Sequence, residues 1–117
     1  MYNKRKIGTD YEDKAIEYLK NSGYRIVERN FYCRQGEIDI IARDGKYLVF
    51  IEVKYRKDIK TGYPSEAVTY NKRSRIIKAS KFYMYKHRIG DGQSVRFDVI
   101  SIVNNEIELI KDAFWIE

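Results

Sequence analysis

The sequence predicts a mixed α/β domain with the element order αβββαββ. Three observations carry this. A hairpin signal, Asp44-Gly45, sits between two β-rich runs at Gly36–Asp44 and Lys46–Tyr55. Helical periodicity precedes that region and follows it. A second alternating run, Ser94–Val103, leads through Asn104-Asn105 into Glu106–Ile110. The chain has 117 residues, which suits one domain spanning 1–117 and not two.

The first helix is expected from about Thr9 to Asn21, capped by Thr9 or Asp10 and ended by Gly23. Asp10, Glu12 and Asp13 suit the positive end of its dipole. Its apolar stripe is Tyr11, Ala15, Tyr18 and Leu19, with Ile16 at the margin. Glu12 lies on that stripe, at spacings of three, four and seven from Ala15, Ile16 and Leu19. It is either a satisfied first-turn residue or part of a buried site. Tyr24–Tyr32 alternates as the first strand, and Cys33–Gly36 turns the chain into the hairpin.

A two-residue turn at Asp44-Gly45 would place Arg43 opposite Lys46, Asp39 opposite Phe50 and Glu37 opposite Glu52. Residues two apart share a face of a strand. Glu37, Asp39 and Ile41 therefore share one with Leu48, Phe50, Glu52 and Lys54. The other face (Ile38, Ile40, Ala42, Val49, Ile51, Val53) is wholly apolar, and Ile41, Leu48 and Phe50 make the charged face apolar too. A strand apolar on both sides is central and buried. This argues against the simpler reading of Glu52 and Lys54 as the polar face of a half-exposed strand. Buried charges are paired or bind metal. Asp39 and Glu52, diagonal neighbours roughly 5–8 Å apart, could converge on one cation, and hard oxygen donors suit Mg²⁺ or Mn²⁺.

Beyond Tyr55 a polar segment punctuated by Gly62 and Pro64 reads as a loop, with Pro64, Ser65 and Glu66 at the start of a second helix that runs to Lys86 or His87. Its inner stripe is Ile76, Ile77, Ala79, Ser80, Tyr83 and Met84. Arg75, Lys78, Lys81, Phe82 and Tyr85 point outward, and no acidic residue occurs between Asn71 and Gly90. Cations interleaved with aromatics suit phosphate contacts and base stacking. A merely solvated face usually mixes both signs. Lys72 projects at the edge of the inner stripe, toward the carboxylates, while His87 reads as a C-terminal cation. Asp98 shares a face with Arg96 and reads as structural.

Composition bounds the function classes. A net charge of +6 favours a polyanionic partner, nucleic acid first. One Cys and one His exclude an internal disulfide framework and argue against a zinc site. No apolar run approaches the ~20 residues of a membrane span, and the basic N-terminus lacks a following apolar region, so a cytoplasmic, membrane-free protein is expected.

Asp39 followed by Glu52-x-Lys54 at a strand end resembles the PD-(D/E)XK nuclease signature, with Ile38 in place of the proline. Glu12 on the preceding helix resembles the extra acidic residue of the archaeal Holliday-junction-resolvase branch. More closely, the chain resembles the YraN family of bacterial proteins. The matching stretches are GTDYEDKAIEYL (Gly8–Leu19), GYRIVERNF (Gly23–Phe31), GEIDIIARD (Gly36–Asp44), LVFIEVKYR (Leu48–Arg56), Lys72, Ala79 and RFDV (Arg96–Val99). Tyr11 stands where that pattern usually has a second glycine.

The resemblance implies a restriction-endonuclease-like mixed sheet flanked by helices. It also implies a nuclease hydrolysing phosphodiester bonds, with DNA the expected substrate and, by analogy to resolvases, branched DNA and a homodimer. On this reading Asp39, Glu52 and Glu12 bind Mg²⁺ or Mn²⁺ and, with Lys54, form the catalytic set. Lys54 orients or activates water. Glu37 and Lys72 stand behind them. Arg56, Lys57, Lys60, Arg75, Lys78, Lys81 and Tyr85 hold the nucleic acid. The alternative is a non-catalytic nucleic-acid-binding module that keeps the fold.

Overall fold

The computed structural model describes residues 4–56 and 69–115, with backbone alone for 4–9. Helix α1 (Lys4–Asn21) is followed by β1 (Arg25–Cys33), β2 (Gly36–Asp44) and β3 (Tyr47–Arg56). Helix α2 (Tyr70–Lys86), β4 (Val95–Val103) and β5 (Glu106–Phe114) complete the expected αβββαββ order. The five strands form one sheet in chain order. β3 and β4 pair in parallel, and every other pair is antiparallel. A parallel pair needs a crossover, and α2 lies within it.

β3 is central, and the apolar residues on its two faces build two cores. On one side Ile41, Leu48, Phe50, Phe97 and Val99 pack with Ile76, Ala79 and Tyr83 of α2. On the other, Ile40, Ala42, Val49, Ile51, Ile100 and Ile102 pack with Ala15, Ile16 and Leu19 of α1. Across the α2 side runs a row of rings set by register. Phe50 stacks on its pair partner Phe97 at 5.8 Å, and Phe97 stacks on its partner Phe114 at 5.0 Å. The Tyr83 ring meets Phe50 edge-on at 5.8 Å, seating α2 on this row.

The structure corrects several boundaries. Helix α1 starts at Lys4, so Thr9 lies inside it and cannot cap it, and the acidic cluster falls after the first turn. Local capping chemistry does not interrupt an i→i+4 ladder that neighbouring residues can continue. Gly23 does end the helix, with φ +93° and the Tyr24 N–H bonded to the Leu19 carbonyl. Strand β1 runs one residue later than expected, and a register shift between Ile26 and Glu28 breaks its alternation. The hairpin turn is Gly45-Lys46, so Asp44 pairs with Tyr47 and Ile41 with Phe50. Asp44 stays in the ladder because Arg96 (2.8 Å) and Lys111 (3.6 Å) hold its carboxylate. The change moves each partner by two positions, so the residues sharing a face are as expected. Glu37 no longer faces Glu52; it is exposed and pairs with Tyr32. Strand β5 extends to Phe114, four residues past the expected end. The expected loop after Arg56 and the cap at Pro64, Ser65 and Glu66 lie outside the described residues. Helix α2 begins at Tyr70, capped by Thr69, whose hydroxyl accepts the Lys72 N–H at 3.2 Å.

One buried polar network fixes the sheet on the α1 side. Asp98 is 0% exposed. Its oxygens accept from Arg96 Nε and Nη2 (both 2.9 Å) and from the Tyr24 hydroxyl (2.7 Å). Asp98 Oδ1 also accepts the Asp112 N–H at 2.9 Å. That bond lies inside a bulge of β5, where Phe97 pairs with Phe114 but Val99 pairs with Ile110. The expected Arg96–Asp98 pair is therefore present, and it also shapes β5.

Asp98→Ala leaves the Tyr24 hydroxyl and the bulge amide without their acceptor and takes from the buried Arg96 guanidinium one of its two carboxylates. It should lower the urea-derived unfolding free energy by roughly 3–5 kcal/mol. The bond from Arg96 holds the Asp44 carboxyl below its ordinary value of 3.8, against the opposing effect of burial. A depressed carboxylate stabilises the fold above its unfolded-state value and loses that contribution as pH falls through the folded one. Asp44→Asn should therefore melt below the wild type at pH 7, and the gap should close as both are taken into acid.

Candidate active site

The β2–β3 ladder ends at Ile40–Ile51. Just past that pair a side chain replaces backbone pairing: Asp39 Oδ2 accepts the Val53 N–H at 2.8 Å. β3 meanwhile stays paired to β4, with Glu52 beside Val99 and Lys54 beside Ser101. Glu52 and Lys54 are thus held by one neighbouring strand at the point where the other lets go. Glu52 is 5% exposed and Lys54 7%. Both charges lie inside, as the apolar residues on the two faces of β3 predict.

Burial of this kind demands neutralisation. Lys54 Nζ lies 3.6 Å from Glu52 Oε1, and Lys72 Nζ makes a closer ion pair with the same oxygen. Thr69 fixes the first turn of α2 through the Lys72 N–H, so the cap that starts the helix also aims its lysine at Glu52. Lys72 pairs with Glu52 and not with Glu37.

The electrostatics follow from crowding in a poorly hydrated space. Burial, then the neighbouring Glu52 carboxylate, pushes Asp39 up to about 8, against the pull of the Val53 N–H. Burial, then Lys72 alongside, pushes Lys54 down to about 8, with Glu52 pulling the other way. Lys72 is raised: burial works against its charge, but its contacts to Glu52 and Lys54 outweigh that. Burial also raises Glu12, with Arg29 opposing and Glu37 reinforcing. Glu12 Oε1 is buried with no hydrogen-bond partner among the described residues. Glu12 adds to the negative field on Asp39, so α1 brings it toward the pair. Among the described residues, no three His, Cys, Asp or Glu side chains gather closely enough to hold a metal ion.

The expected nucleic-acid contacts fall into two groups. Arg75, Lys78, Lys81 and Tyr85 are exposed on α2, and Arg56 is half-exposed at the end of β3. Lys57 and Lys60 lie outside the described residues. The sequence did not foretell the Asp39–Val53 bond, which depends on where a ladder stops, or the role of Thr69. Among the described residues no helix is long and apolar enough to cross a membrane.

If Lys72 and Glu52 neutralise each other, Glu52→Gln and Lys72→Met should not add. A double-mutant cycle read by chemical denaturation should give a coupling of about 0.5–3 kcal/mol, with the double variant more stable than the two single losses predict.

Residues 11–102 match the uncharacterised protein family UPF0102. A UPF0102 protein of Persephonella marina is 54% identical over 107 residues, covering 92% of this chain and 91% of that protein. One from Lachnoclostridium phytofermentans is 46% identical over 112 residues, 96% and 95% of the two chains. One from Caldicellulosiruptor saccharolyticus is 42% identical over 118 residues, 96% and 99%.

Proposed function

The chain belongs to the uncharacterised protein family UPF0102, the YraN family of the sequence resemblance, and on that footing we propose that it is a metal-dependent nuclease. Its core would be restriction-endonuclease-like, and it would hydrolyse phosphodiester bonds in nucleic acid, DNA first. One observation carries the reading: Asp39 and Glu52 are forced together beside a lysine, Lys54, that burial and Lys72 hold at about 8. A structural ion pair needs no second carboxylate crowded against it, whereas a cation site does.

The donor chemistry fits Mg²⁺ or Mn²⁺. Asp39 and Glu52 would hold the ion, and Glu12, whose Oε1 has no partner among the described residues and whose field reaches Asp39, offers a further oxygen. When bound, such an ion neutralises phosphate charge and acidifies water. The chain's own residues supply the rest. Lys54 Nζ, poised near neutrality, can hold or release a proton beside the scissile phosphate. Lys72 supplies a second positive charge facing the same carboxylate. Arg56 and the exposed cations of α2 would bind the sugar-phosphate backbone, giving position without sequence information.

A non-catalytic nucleic-acid-binding module is the second reading. It draws support from the Lys72–Glu52 pair and from the lack, among the described residues, of a three-member ligand cluster.

Cleavage of a labelled panel (four-way junction, flap, single strand, duplex DNA, RNA) with Mg²⁺ or Mn²⁺ separates the two. The nuclease reading expects metal-dependent cutting that Asp39→Ala and Glu52→Ala abolish and that Lys54→Ala slows by roughly 10²–10⁴-fold. Binding without cutting, or equal cutting by the variants, leaves the binding module.

A further inference from the structure

Helix α2 has a second flank. Lys72 turns toward Glu52, but Arg73, the next residue, turns toward a cavity of about 390 Å³ between α2 and the end of β5. Ser74, Lys78 and Lys81 of α2 line this cavity, and Tyr70, Phe114 and Trp115 supply aromatic surface. Cations and rings therefore converge on one concavity.

Two features make it a built site. Arg73 lines the pocket, and its Nε is buried behind that lining with no hydrogen-bond partner among the described residues. Trp115 is 70% exposed, yet its ring is oriented: Nε1 donates to Asp112 Oδ1 at 2.8 Å. Asp112 sits at φ +57° in the β5 bulge that Asp98 anchors from the core. A large apolar ring at the surface is thus positioned by a buried carboxylate, where a loose end would have sufficed for solubility. Phe114, beneath it, ends the Phe50–Phe97–Phe114 row. The pocket lies two interstrand spacings from β3, about 10 Å.

We infer that this pocket takes one unpaired nucleotide of a nucleic-acid strand, its base stacked on Trp115 and its phosphate held by Arg73, Lys78 and Lys81. The inference rests on the nucleic-acid reading of the neighbouring site and adds the strand form. Stacking on a protein ring requires a free base face, which a paired, stacked duplex interior does not offer. The charge fits as well, since α2 carries no acidic residue to repel phosphate.

Trp115 is the only tryptophan, so its fluorescence reports on the pocket directly. A fluorescein-labelled 5′-phosphorylated oligothymidylate is titrated in EDTA, which separates binding from cutting, while tryptophan emission and label anisotropy are followed. The expected result is saturable quenching, with duplex DNA and inorganic phosphate at equal ionic strength quenching little. Arg73→Gln and the surface change Trp115→Leu should each weaken anisotropy-detected binding at least about fivefold. Binding by anisotropy with unchanged emission and unchanged variant affinities overturns the pocket and leaves the nuclease reading intact. Quenching without cutting in the metal panel keeps the pocket and removes the nuclease. Equal quenching by inorganic phosphate reduces the site to an anion pocket and overturns the inference.

Discussion

Glu52 is a carboxylate in the middle of a sheet, and much of the molecule answers to it. At 5% exposure its charge cannot be left to water. Lys54 on the same strand and Lys72 from the first turn of α2 both approach one of its oxygens. The Thr69 cap, the seating of Tyr83 on Phe50 and the crossover between β3 and β4 together put α2 where Lys72 can do this. Asp39 makes the balance harder, because it adds a second carboxylate at the end of the β2–β3 ladder. Two lysines then face two carboxylates in a space with little water. Burial and like charge push Asp39 up and Lys54 down, and those two meet near 8 from opposite directions.

The fold treats its other buried carboxylate differently. Asp98 is surrounded by donors: Arg96, Tyr24 and a backbone amide. Those bonds leave it saturated and tie β4, β5 and the α1–β1 connection together. Asp39 receives one amide and a like charge. The contrast separates a carboxylate whose acceptor positions are filled from one crowded by a like charge, and it is a difference of partners; residue type does not reveal it.

That distinction marks how far the sequence could be read. The element order and the shared face of Asp39, Phe50, Glu52 and Lys54 followed from period-2 alternation, which survives a two-residue shift of the hairpin. Burial of Glu52 and Lys54 followed from apolar residues on both faces of β3. The Asp98–Arg96 pair was visible because the two residues share a strand face. Contacts set by where elements begin and end were not legible. Capping residues at Thr9 and Asp10 suggested a helix start that the chain overrides at Lys4. The Glu37–Glu52 pairing failed because Asp44, held by Arg96, moved the turn by one residue. The α2–β5 pocket was hidden because Trp115 directly follows a strand that outlasts its expected end through a bulge no local pattern announces.

That bulge has a counterpart on the opposite side of the sheet. β1 and β5 are the outer strands. β1 slips register between Ile26 and Glu28 and carries Asn30 at φ +53°, while β5 is interrupted between Ile110 and Phe114. An outer strand offers its unpaired amides and carbonyls as a template only along regular stretches. Both borders of this sheet are broken partway along, so neither presents a full-length template to a passing strand. A sheet continued from one copy into the next is disfavoured at both borders.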